Sequence, residues 1–88
     1  MKTPAEPLER SDLPELPVTP SGRYRHYKGG EYEVLGVARH SETLEPHVVY
    51  RPLYSSSGWW LRPHAMFFGS VTVNGALQPR FAAIEPAA

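Results

Sequence analysis

Four histidines, His26, His40, His47 and His64, are the side chains of this sequence that exchange a proton near neutral pH. His40 opens the run His40-Ser41-Glu42-Thr43, which sets an imidazole close to a carboxylate in a polar loop. Such a pair is the minimum for general acid–base chemistry, and an arginine such as Arg62 can steady the anion that develops. His40 and Glu42 are therefore the candidate acid–base groups of a small enzyme, with His26, Thr43 and Arg62 as further polar candidates. The same loop residues have a purely structural use. They can brace the loop by hydrogen bonding its backbone, leaving Arg62 to pair with Glu42 or a carbonyl. The sequence holds no nucleophile elbow, no paired carboxylates at a catalytic spacing and no phosphate-cradling glycine loop. Nor does it hold cysteine, which excludes disulfides, thiolate zinc sites and cysteine nucleophiles. The histidine spacings match neither a helical His-x-x-x-His pair nor a zinc finger, so no metal and no other cofactor is expected.

A second set of residues points to binding. Tyr24, Tyr27, Tyr50, Tyr54, Trp59, Trp60 and Phe67 are interleaved with Arg25, Arg51 and Arg62. Aromatic faces stack on bases, prolines or alkylated ammonium groups, and guanidinium groups take phosphates or carboxylates. A small domain cannot bury that many large rings together with their polar handles. Tyr32, Val34, Val48, Trp60 and Phe67 are assigned to the core, while Tyr24, Tyr27, Tyr54 and Trp59 divide between core and surface. The expected ligand surface comprises Tyr27, His40, Glu42, Tyr54, Trp59 and Arg62, gathered at one end of the fold.

These side chains need a scaffold, and the sequence limits it. The chain has 88 residues, and six of its ten prolines lie outside residues 22–84. One domain over residues 22–84 is expected, with a proline-rich, acidic, disordered leader at 1–21 and a short tail at 85–88. A domain of about 60 residues buries only about 60% of its unfolded surface, so a dense aromatic core must hold it together. Net charge is zero overall, but residues 22–84 carry seven basic against four acidic residues. That mild excess suits an anionic ligand and is too small for a protein that binds nucleic acid mainly through counterion release. No segment has the length and apolarity of a membrane span or a signal peptide, so no membrane partner and a cytoplasmic location are expected. The leader's Leu-Pro-Glu-Leu-Pro-Val-Thr-Pro run favours extended polyproline backbone, which a protein partner could dock.

Within the domain the alternation is of strand type. Residues 23–27 alternate aromatic and cationic side chains, and Lys28-Gly29-Gly30 is a turn. A strand over 31–38 places Tyr32, Val34, Gly36 and Ala38 on one face, with Gly36 marking a bulge or bend. The loop 39–46 leads to a strand over 47–54 whose Val48, Tyr50 and Pro52 share a face. Ser55-Ser56-Ser57-Gly58 turns the chain into a strand over 59–62, which Pro63 ends. Residues 64–68 suit a single 3₁₀ turn, and Asn74-Gly75 is a hairpin turn between strands over 70–73 and 77–81. The result is an all-β fold, a small SH3-like barrel of five to six short strands.

Several of these runs, in this order, carry a resemblance. They are the Tyr-Arg-His-Tyr-Lys-Gly opening at residues 24–29, the His-Ser-Glu-Thr loop at 40–43, the Val-Val-Tyr-x-x-Leu-Tyr strand at 48–54 and the Trp-x-Arg-Pro-x-x-Met-Phe segment at 60–67. Together they closely resemble the small bacterial domain-of-unknown-function family 1653, over about residues 22–84. Phe68-Gly69-Ser70 departs from it, where the resemblance implies an acidic residue. The resemblance implies one compact domain and no particular activity. The residues themselves point to a non-enzymatic binding module for single-stranded nucleic acid or a nucleotide. The alternatives are the His40–Glu42 enzyme and a protein-interaction module acting through the leader.

Overall fold

The computed structural model describes residues 13–84. Seven strands and one helical turn follow in order: β1 (Gly22–His26), β2 (Glu31–Arg39), β3 (Pro46–Pro52), β4 (Trp60–Pro63), α1 (His64–Phe67), β5 (Ser70–Val73), β6 (Ala76–Pro79) and β7 (Phe81–Ala83). The fold is all-β, as the alternation predicts. Five strands form an antiparallel sheet in the order β4-β3-β2-β1-β7, and β5 and β6 form a separate hairpin. The strands number seven rather than five to six, because the predicted last strand breaks in two. Pro79 ends the pairing with Ser70, and the Arg80 N–H turns aside to the Gly69 carbonyl at 2.9 Å before β7 joins β1. The two sheets are not joined by strand pairing, so the described strands do not form a closed barrel.

Register decides which side chains meet. Val34 faces Tyr50, and the next pair is Gly36 with Val49, leaving Leu35 as an extra residue. The bulge expected at Gly36 is therefore present, and it changes the faces beyond it. Val37 pairs with Val48, and so turns to the same side as Val34, where unbroken alternation places Gly36 and Ala38.

The core gathers on the inner face of the five-stranded sheet. Tyr24, Val34, Val48, Tyr50, Phe67 and Phe81 are buried, with Tyr32 packed against them. Phe67, carried by α1, lies flat on Phe81 with ring centroids 4.0 Å apart, and Tyr24 and Tyr50 meet it edge-on. The predicted 3₁₀ turn is instead one turn of α-helix, closed by the Phe68 N–H on the His64 carbonyl at 3.1 Å. Trp60 does not join the core: it is 49% exposed, because β4 is an edge strand. Tyr24, by contrast, belongs wholly to it.

At the β5–β6 hairpin, Asn74 and Gly75 both have positive φ, 52° and 80°. This is the left-handed pairing that a two-residue hairpin requires. A Cβ at Gly75 would touch nothing within 4 Å, so Gly75→Ala tests backbone strain alone. It is expected to destabilise by about 1–2 kcal/mol. Gly36→Ala, equally free of contact and lacking a positive φ, should be close to neutral. Urea midpoints of the two variants check this contrast.

Residues 13–21 carry no regular secondary structure, yet three hydrogen bonds tie them to the domain. Arg39 donates to the Pro14 carbonyl at 2.8 Å, and the buried Tyr24 hydroxyl donates to the Pro20 carbonyl at 2.9 Å. Thr19 donates its hydroxyl hydrogen to the Pro17 carbonyl, so its oxygen accepts from His64 Nε2 at 3.1 Å. The first twelve residues of the predicted leader, and the tail 85–88, lie outside the described residues.

Candidate functional site

The six residues expected to share one end of the fold do not. β3 has seven residues, and its two ends are about 20 Å apart. The loop holding His40 and Glu42 precedes β3, and the loop from Tyr54 to Trp59 follows it, so the two loops occupy opposite ends of the sheet. Tyr54 and Arg62 each bond a tyrosine of the inner face, Tyr32 and Tyr50 respectively.

At the far end, His40 braces its loop. Its Nδ1 accepts the backbone N–H groups of Glu42 at 3.0 Å and Thr43 at 3.2 Å. The Thr43 hydroxyl oxygen in turn accepts the Glu45 N–H, and His40 and Leu44 close the backbone turn. His40 thus meets Glu42 through that residue's backbone, and the imidazole nitrogen a general base would use is already occupied. The ring of His47 lies 5.5 Å away, its Nδ1 donating to the Glu45 carbonyl. Among the described residues no three of His, Asp and Glu are arranged to hold a metal ion.

The near end is different. Phe81 forms the floor of a cluster to which several strands contribute. Around its ring stand His26 at 4.8 Å, Tyr32 at 5.6 Å and Tyr50 at 5.7 Å between centroids, with the Arg62 guanidinium 5.6 Å above it. Strand pairing explains the gathering. His26 faces Phe81 across β1 and β7, Tyr32 faces Pro52 across β2 and β3, and Trp60 faces Tyr50 across β3 and β4. Arg62 Nε donates to the Tyr50 hydroxyl at 3.2 Å, and the Tyr32 and Tyr54 hydroxyls share a hydrogen bond of 2.6 Å. Tyr54, beside Tyr32, and Trp60, opposite Tyr50, are exposed at 66% and 49%, and Trp59 is exposed at 72%.

Two of the arginines are ion-paired, while Arg23, Arg39, Arg62 and Arg80 make no ion pair among the described residues. Arg25 pairs with Glu31, and Arg51 pairs with Glu33, both across neighbouring strands on the outer face. Arg62 makes no ion pair among the described residues, and its partner is a phenol rather than Glu42. Tyr27 lies to the side: its ring packs against His26 at 4.5 Å, and it lines a groove of about 290 Å³ with Arg25, Gln78, Pro79 and Ala82. Arg25, the cation of that groove, is the one paired with Glu31, which leaves the Arg62 cluster as the better anion site.

Electrostatics follow from this packing. Burial lowers the His26 pKa, and the positive charges of Arg62, Lys28 and Arg80 lower it further, so the ring is neutral at pH 7. The Tyr32 phenol is pushed up to about 12, first by burial, then by its bond to Tyr54 and the neighbouring phenols, with Arg62 pulling the other way. The folded chain holds this proton more tightly than the unfolded chain, so stability falls as pH climbs from about 10 towards 12. Tyr54→Phe should move the Tyr32 midpoint down and Arg62→Met should move it up. An ultraviolet tyrosinate titration of the three proteins reads both directions.

Tyr32 is the site residue that the sequence reading assigns to core and not to function, whereas Tyr50, read there among the binding aromatics, is buried. Their hydroxyls bond Tyr54 and Arg62. Tyr32 is the second residue of β2 and Tyr50 lies two residues before the end of β3.

A small antiparallel sheet, capped by one helical turn and carrying an unpaired arginine among phenols, is the class of domain these features define. The model of the family described as "Protein of unknown function (DUF1653)" matches residues 22–83, and the chain belongs to that family. Among solved structures it is similar to a crystal structure of a DUF1653 protein from Bordetella bronchiseptica. Identity is 39% and the TM-score 0.71, covering 80% of this chain and 92% of that one. The comparison with curated proteins returned no match. No helix among the described residues is long and apolar enough to cross a membrane.

Proposed function

We propose that the domain is a non-enzymatic binding module for a nucleotide or a short stretch of single-stranded nucleic acid. The observation that carries this is Arg62. Its guanidinium is half-buried over an aromatic floor and bonds a hydroxyl rather than a carboxylate, while exposed Trp60 stands two residues before it on the same face of β4. A cation with no counter-ion among the described residues, next to an exposed ring, suits a ligand that joins a phosphate to a planar base. The acid–base reading of His40 and Glu42 loses ground, since the loop's own backbone takes the His40 nitrogen. A chain without cysteine suits a reducing, cytoplasmic setting.

The test is an amide NMR titration of the ¹⁵N-labelled protein with mixed-sequence single-stranded RNA at low and moderate salt. Saturable shifts at Tyr32, Tyr54 and residues 59–62, weakening with salt, are expected. The loop 40–45 should stay still and serve as an internal control. Trp59→Ala should keep the dispersed spectrum and lose the shifts. A flat titration of a well-dispersed spectrum would defeat the reading.

A further inference from the structure

We infer that the cluster of Arg62, His26, Tyr50 and the Tyr32–Tyr54 pair is an oxyanion pocket for a terminal phosphate, the monoester end of a nucleotide, rather than for an internal phosphodiester. This rests on the nucleotide reading above and narrows it.

Proton positions identify the donors. Lys28 donates its backbone N–H to His26 Nδ1 at 3.1 Å, so the proton of the neutral ring sits on Nε2 and that nitrogen donates. Arg62 Nε occupies a lone pair of the Tyr50 oxygen, which leaves the Tyr50 O–H free to donate and both Arg62 Nη groups without a side-chain partner. Tyr32 and Tyr54 share one hydroxyl hydrogen between their oxygens, and the other remains free. Each of these groups therefore presents a donor. Carboxylates that could compete are engaged on the outer face, Glu31 with Arg25 and Glu33 with Arg51.

Size and charge favour a monoester. The donors stand around one phenyl ring, with His26 4.8 Å and Arg62 5.6 Å from its centre, and Arg62 Nε touches the Tyr50 hydroxyl at 3.2 Å. A monoester offers three terminal oxygens and a charge of about −1.5 to −2 at pH 7. A diester offers two non-bridging oxygens, a single negative charge and a chain that must leave in two directions. Donors from β1, β2, β3 and β4 are more than a diester can satisfy. A neutral His26 fits the same picture, since it donates one hydrogen bond without adding a second full charge beside Arg62.

Four probes decide the matter with the full chain: adenosine 5′-monophosphate, its 3′,5′-cyclic diester, adenosine and inorganic phosphate, each by calorimetry and by NMR of the His26 ring and Arg62 Nε. The monophosphate should bind at least tenfold more tightly than the cyclic diester and adenosine, with shifts at both reporter groups. Arg62→Met should bring it down to the adenosine level, and Tyr54→Phe, which leaves the charge in place, should weaken it several-fold. Equal affinity for monophosphate and cyclic diester would overturn the monoester pocket and leave nucleotide binding standing. Inorganic phosphate shifting the same groups, with no gain from the nucleoside, would support the pocket and remove the base from the ligand. No response to any probe, with RNA still binding, would overturn this inference alone. No response to RNA as well would overturn both.

Discussion

Phe67→Ala is expected to leave the domain unfolded in plain buffer at 25 °C. Phe67 is fully buried and is carried by a helical turn of only four residues, which has no stability of its own. Its ring is the contact between that turn and the sheet: flat on Phe81, edge-on to Tyr24 and Tyr50. Truncating a buried phenylalanine costs about 3–5 kcal/mol. A domain of about 60 residues has little more than that in total. Phe68→Ala is the control, because that neighbouring ring is 37% exposed. Amide dispersion and urea melts give the comparison. A cooperative Phe67→Ala transition near the wild-type midpoint would show that the core lies elsewhere.

Arg62→Met should act the other way, sparing the fold and removing the ligand. A hydrogen bond to a charged group is worth about 1.5–3 kcal/mol, so nucleotide affinity should fall about tenfold to 150-fold. The unfolding midpoint should move little, since the protein itself loses one bond to the Tyr50 hydroxyl and the cation over Phe81, while methionine keeps an apolar contact with that ring. Arg62→Lys should recover only part of the affinity, because an ammonium keeps the charge but not the planar fork. Calorimetric titration with adenosine 5′-monophosphate reads all three proteins. An unchanged Kd for Arg62→Met would remove Arg62 from the site.

Much of the scaffold was legible because its signals are local. Asn74-Gly75 announces a left-handed turn through residues that tolerate positive φ, and Gly36 marks the bulge in β2. The inner face of β3 follows from alternation: Val48, Tyr50 and Pro52 share it as expected, and all three are buried. What failed depends on quantities that alternation does not carry. It assigns a face and says nothing of cover, so Trp60, which the structure sets opposite Tyr50, was placed in a core that an edge strand does not have. It also resets at a bulge, which is why Val37 changed sides. The split of the proposed surface was avoidable: two loops that flank one seven-residue strand must lie at its opposite ends. The gathering of Tyr32, Tyr50, His26 and Arg62 around Phe81 was not readable. It needs β7 to return beside β1, a pairing between residues more than fifty positions apart.

The hydrogen bond from Tyr24 to the Pro20 carbonyl has a consequence for where this unit begins. The family match starts at residue 22, two residues after the acceptor that a buried phenol relies on. A protein trimmed to the recognisable sequence would keep every strand and still leave one interior hydroxyl without its partner, a defect of about 1–3 kcal/mol. Kinship and cooperativity thus draw different borders on the same chain. The stretch that looks least like a domain, Pro17 to Pro20, belongs to the melting unit even though it falls outside the signature by which the family is recognised.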